Sequence, residues 1–101
     1  MDGIILTLQG QGDLSLISSA LQREKDLLSW EIRKVENNLK KFEQKYGTSS
    51  DQFISKYNSG EMGDEEDMMT WAGEFQFYKR FQEKLSRIEE LIAECQKHTL
   101  P

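Results

Sequence analysis

Proline is nearly absent from this sequence. Its single occurrence, Pro101, is the last residue, so no ring clash or missing amide interrupts a helix upstream. Cysteine is equally scarce: Cys95 alone can close no internal disulfide and cannot supply the paired thiolates of a CxxC metal site. Histidine occurs once, at His98, without the positioned partner that general acid–base chemistry requires. No apolar run approaches the roughly 18 residues of a membrane span, and no basic n-region precedes an apolar stretch as in a secretory signal.

Basic charge is short as well. The chain carries 13 Lys and Arg against 18 Asp and Glu, a net charge of −5. Such a surface is unsuited to phosphate backbones and compatible with a basic protein. No nucleophile elbow, phosphate-cradling glycine loop or zinc spacing occurs. The acidic run Glu61, Asp64, Glu65, Glu66 and Asp67 lacks the alternating ligand positions of a calcium loop. The expectation is a soluble, cytoplasmic, non-enzymatic chain with no catalytic residue, cofactor or metal ligand, and no membrane or nucleic-acid partner of its own.

A heptad stripe is present. From Leu28 the apolar residues Ile32, Val35, Leu39, Phe42 and Tyr46 follow at spacings of 4, 3, 4, 3 and 4, the a/d seam of helices that pack side by side. Leu14 and Leu21 extend the d positions, while Ser18 and Lys25 occupy a positions. Leu16, Ile17, Ala20, Leu27 and Trp30 widen the stripe, and a wide stripe needs more than one neighbour. The pattern predicts a first helix over residues 14–46, with Asp13 as N-cap and Gly47 as the glycine that ends it. Ser49 and Gln52 fit a capping box for a short helix over 50–57. A third helix over 64–96 opens with four carboxylates at its positive end. It carries Met68, Trp71, Phe75, Tyr78, Phe81 or Gln82, Leu85, Ile88, Ile92 and Cys95 inward.

Two long helices with a compact connection are expected to run antiparallel. Leu39 should then meet Phe75 or Tyr78, Leu28 should meet Leu85 or Ile88, and Leu21 should meet Ile92 or Cys95. The fold class predicted is all-α: a coiled-coil-like helical hairpin preceded by an N-terminal arm over residues 1–12. In that arm Ile4, Leu6 and Leu8 alternate with Ile5, Thr7 and Gln9, a strand-like period of two. It could pair with a symmetry mate, join a partner's sheet, or pack as an extended arm.

Trp30 and Phe77 fall off the main stripe, and large apolar residues on a second face imply a second contact surface. The candidate partner interface is therefore Ile4, Leu6, Leu8, Trp30 and Phe77, with Glu61, Asp64 and Glu65 as an acidic patch. A homodimer or a heteromer is expected.

The stretch from Lys40 to Leu85 resembles a family of small uncharacterised archaeal and cyanobacterial proteins often labelled antitoxin-like, because they sit beside a small toxin-like partner. The resemblance rests on Lys41, Phe42, Glu43, Lys45, Tyr46, Gly47, Ser49, Ser50 and Phe53, then Gly60, Glu61, Gly63, Asp64 and Asp67, then Trp71. It does not extend to the first 39 residues, and it carries over no functional residue. What it implies is a protein–protein interaction module, the antitoxin of a toxin–antitoxin pair that neutralises a small basic toxin-like protein. The alternative is a self-assembling coiled-coil homo-oligomer.

Overall fold

The computed structural model describes residues 11–99. The alternating segment with Ile4, Leu6 and Leu8 lies outside the described residues, as do Leu100 and Pro101. The described chain forms three helices and no strand: α1 (Gln11–Tyr46), α2 (Ser50–Asn58) and α3 (Glu66–Thr99).

The long helices pack antiparallel. Lys45 at the end of α1 meets Asp67 at the start of α3 (2.7 Å), while Lys25 meets Glu89 (3.5 Å) and Lys84 meets Glu24 (3.2 Å) farther along. The body is elongated, 55 × 27 × 19 Å. The heptad seam becomes the buried line of α1: Leu28, Ile32, Val35 and Leu39 are all buried. At the connection end Val35 and Leu39 pack with Phe53, Met68, Trp71, Ala72 and Phe75. Toward the open end Leu28 and Ile32 pack with Ile88 and Ile92, with Leu21 and Leu85 against them. The pairings expected for Leu39, Leu28 and Leu21 fall within these groups. Lys25, a charge at an a position, leaves the seam by reaching to Glu89.

Helix boundaries differ from the expected ones for local reasons. α1 starts at Gln11, so Asp13 is not its N-cap. Gly12 is tolerated in a first turn whose amides lack intrahelical acceptors anyway, and Asp13 still faces the positive helix end. α3 starts at Glu66, where the Glu65 carbonyl accepts the Met69 N–H at 3.0 Å, which leaves Asp64 and Glu65 outside the helix. It continues to Thr99, since no glycine or proline intervenes between Gly73 and Pro101. Tyr46, assigned to the seam, is 37% exposed, because its hydroxyl reaches out to Asp67.

The joints are built from specific residues. Gly47 adopts φ 68°, and its N–H bonds the Glu43 carbonyl at 2.8 Å, a left-handed helix stop that a side chain would oppose. Ser49 Oγ then accepts the Gln52 N–H (3.1 Å) as N-cap of α2. Gln52 does not reciprocate as a capping box would, since its carbonyl accepts the Thr48 hydroxyl instead (3.1 Å). The Glu43 carboxylate accepts the Ser50 N–H (2.8 Å), placing a negative charge at the positive end of α2. At the far end of α2, Glu61 N–H bonds the Lys56 carbonyl and Gly60 N–H bonds that of Tyr57, a Schellman closure with Gly60 at φ 83°.

Candidate interaction surface

Trp71 anchors the closed end. It and Phe53 are fully buried, and their rings lie parallel with centroids 3.8 Å apart. Phe42 and Tyr46 stack on the same indole at 5.5 and 5.7 Å. The indole N–H is satisfied by Ser50 Oγ at 2.9 Å, so one side chain of α3 holds both α1 and α2. Nearby, the Asp67 carboxylate accepts from Lys45 Nζ (2.7 Å) and from the Tyr46 hydroxyl (2.5 Å). The Lys45 and Tyr46 hydrogen bonds hold Asp67 below the usual carboxyl range. The bond to Asp67 in turn raises Lys45 and Tyr46 above theirs. This group lies at the surface and joins the two long helices at their closed end.

Among the described residues, no three His, Cys, Asp or Glu side chains converge on a site that could hold a metal ion. No helix among them is long and apolar enough to cross a membrane. Cys95 is half-buried. Glu61, Asp64, Glu65 and Glu66 are exposed in and beside the α2–α3 connection.

The apolar surface lies elsewhere. Trp30 is 61% exposed, Leu27 61% and Phe77 51%. Leu16 is also exposed. On a helix of 3.6 residues per turn, Leu16 and Leu27 are separated by about three turns and Trp30 by nearly one more, which aligns them along one side of α1. Lys34 continues that side: its ammonium sits 5.7 Å from the centre of the Trp30 ring. Lys34 also lines an open cleft of about 320 Å³ together with Glu31, Asn38, Glu74, Phe77 and Phe81. Phe77 stacks on Phe81 at 6.1 Å. Phe77 borders this cleft, whereas Trp30, two residues from both Leu28 and Ile32 of the buried seam, projects from the back of α1. α2 packs on the other side at the closed end, where Ser50 and Asp51 border a second cleft with Glu36, Lys40, Phe75 and Tyr78.

Of the residues singled out from sequence, Trp30 on α1 and Phe77 on α3 are both exposed. Glu61, Asp64 and Glu65 do not join them. Trp30 lies 16 residues before Tyr46, about 24 Å along the helix axis, so the acidic group and the apolar face are separate regions. Ile4, Leu6 and Leu8 lie outside the described residues. Leu16 and Leu27, read as a widening of the core stripe, are surface residues, and so is Met69. Periodicity marks which side of a helix is apolar, and only the arrangement of neighbours decides whether that side is covered.

No protein-family model matches the chain, and no significant match was found among curated proteins or solved structures.

Proposed function

We propose that the chain is a non-catalytic protein-binding module, a helical hairpin that presents a preformed apolar face. The observation that carries this reading is the exposure of Leu27, Trp30 and Phe77, each more than half exposed on the long helices. These residues project from long helices, so little ordering entropy is lost when a partner covers them. Trp is among the residues most enriched at binding hot spots, and large aromatics account for much of the energy there.

The narrower form of the proposal is an antitoxin role, in which the exposed carboxylates Glu61, Asp64 and Glu65 meet a small basic protein. The resemblance over residues 40–85 and the net charge of −5 support it. Carboxylates of this kind steer association and affect its salt dependence more than they hold the complex together.

The test is co-expression of the tagged chain with a small basic protein encoded beside it, followed by growth and co-purification. The expected result is rescue of growth by the wild-type chain, lost in a Trp30→Glu/Phe77→Glu variant that remains helical. Charge reversal at Glu61, Asp64 and Glu65 should slow association and leave dissociation largely unchanged. Full rescue by the Trp30/Phe77 variant would remove the apolar face from the account.

A further inference from the structure

We infer that the groove between α1 and α3, on the side away from α2, docks a short amphipathic helix of another protein. Its apolar face meets Phe42, Phe77 and Phe81, with a carboxylate toward Lys41 and a cation toward Glu74. This rests on the binding-module reading and specifies the form of the partner.

The groove is continuous. The cleft bordered by Phe77 and Phe81 shares Asn38 and Glu74 with a neighbouring cleft of about 330 Å³, which reaches Lys45 and Asp67 at the closed end. One wall is the α1 row Glu31, Lys34, Asn38, Lys41 and Lys45. The other is the α3 row Asp67, Thr70, Glu74, Phe77 and Phe81. Both rows advance by steps of 3 and 4, so each runs straight along its helix, for about 21 Å. On α1 every residue of the row precedes a seam residue by one, whereas Glu36, Lys40 and Glu43 in the cleft beside α2 each follow one. The groove and α2 therefore lie on opposite sides of the seam.

Two observations choose the occupant. The first is α2 itself. The hairpin already holds this nine-residue helix on its opposite side, with Phe53, Ile54 and Tyr57 packed with Val35, Leu39, Trp71 and Phe75. Side chains at helical spacing fit the intervals between helical rows, and the groove's walls repeat that spacing. The second is charge. Lys45 and Asp67 neutralise each other at 2.7 Å. Next along, Lys41 and Glu74 border one cleft from facing walls, and among the described residues neither joins an ion pair. Farther on, Glu31 and Lys34 share the α1 wall opposite the two phenylalanine rings. The unmatched charge is positive on one wall and negative on the other, so a helix with opposite charges on its two flanks complements both. A uniformly acidic or basic helix complements one wall and opposes the other.

The experiment is a nuclear magnetic resonance titration of the isotope-labelled full chain with synthetic helical peptides of about 18 residues, each with leucine at its inward positions. One carries Glu on one flank and Lys on the other, one Glu on both, and one Lys on both. The expected result is saturable shifts of the Asn38, Lys41, Glu74 and Phe77 amides with the mixed peptide and little change at Trp30. Its Kd should be about three- to ten-fold lower than that of either single-sign peptide. Phe77→Glu, at an exposed position, should abolish the shifts with helicity retained; if it unfolds the chain, the wild-type ranking of the three peptides decides. Lys41→Glu should weaken the mixed peptide by about three- to ten-fold. Lys41→Glu/Glu74→Lys should recover most of that loss, because a helix turned end for end exchanges its flanks.

Unshifted groove amides with the mixed peptide at about 1 mM overturn the inference. So do equal affinities for the three peptides, or a double reversal no better than Lys41→Glu alone. Self-association abolished by Phe77→Glu overturns it as well, by making a second copy the occupant. A groove inert to the peptides, in a chain whose co-purifying partner is lost on Trp30→Glu alone, overturns the groove and leaves the binding-module reading standing. A partner indifferent to both Trp30→Glu and Phe77→Glu overturns the two together.

Discussion

Replacing Ser50 with alanine isolates the hydrogen bond at the closed end of the hairpin. Ser50 Oγ accepts the Trp71 indole N–H at 2.9 Å, and both residues are buried. Truncation strands a donor, at a cost of about 1–3 kcal/mol. Part of that is offset, because alanine is a better helix former than serine by roughly half a kcal/mol. No cap is lost, since Ser49 caps α2. The net expectation is destabilisation of about 1–2 kcal/mol. With a urea slope of about 1–3 kcal/mol per molar, the midpoint should fall by roughly 0.3–2 M. The assay is urea unfolding followed by far-ultraviolet circular dichroism, at one protein concentration, for Ser50→Ala, Trp71→Phe and the double variant. Phenylalanine has no N–H to strand, so Ser50→Ala in that background should cost less than about 0.5 kcal/mol. An additive cycle would refute the reasoning, because Ser50 would then act through volume or helix propensity alone.

Phe53→Ala should cost about 3–5 kcal/mol, the ring being fully buried against Trp71. Thermal melts would show it, and a loss under about 1 kcal/mol would mean that α2 is not held by this ring. Gly73→Ala should stabilise by about 1 kcal/mol, raising Tm by roughly 4 °C, since a Cβ there meets nothing within 4 Å. An unchanged or lower Tm would place an unseen contact at that position. Asp67 holds its proton less tightly in the native state than in the unfolded one, so its stabilisation is present above about pH 4 and is lost as pH falls through the depressed value. Lys45 and Tyr46 are raised, so their share is lost as pH climbs past about 10. Melts from pH 7 to pH 2 should find wild type and Asp67→Asn converging in acid; parallel curves would assign the group no role in stability.

The seam of α1 was legible because Leu28, Ile32, Val35 and Leu39 repeat at the period that two packed helices require. Gly47 and Ser49 marked the first joint through backbone chemistry that depends on few neighbours. The Trp71–Ser50 bond was not legible, because a serine hydroxyl is buried only when an indole edge from 21 residues away arrives over it. The same applies to Glu43, whose carboxylate is defined by the turn that follows it. Tyr46 shows the limit of periodicity: an amphipathic ring at a seam position turns outward when its hydroxyl has an acceptor there. The exposure of Leu16 and Leu27 was hidden for a related reason, since an apolar stripe reads alike with or without a neighbour over it.

Placing the aromatic anchor at the closed end has a consequence for how the chain assembles. Ser50 and Trp71 are 21 residues apart in sequence, and Lys45 and Asp67 22 apart, whereas Lys25 and Glu89 enclose a loop roughly three times longer. Joining the distant pair directly would cost about 1 kcal/mol more in chain entropy than closing the short loop. Once the short loop is shut, each further turn of the helices adds only a small increment. Nucleation at the joint followed by zipping is therefore the favoured route, and opening runs in reverse from the free ends. Amide hydrogens should exchange slowest around Leu39 and Trp71 and progressively faster toward Leu14 and Ile92.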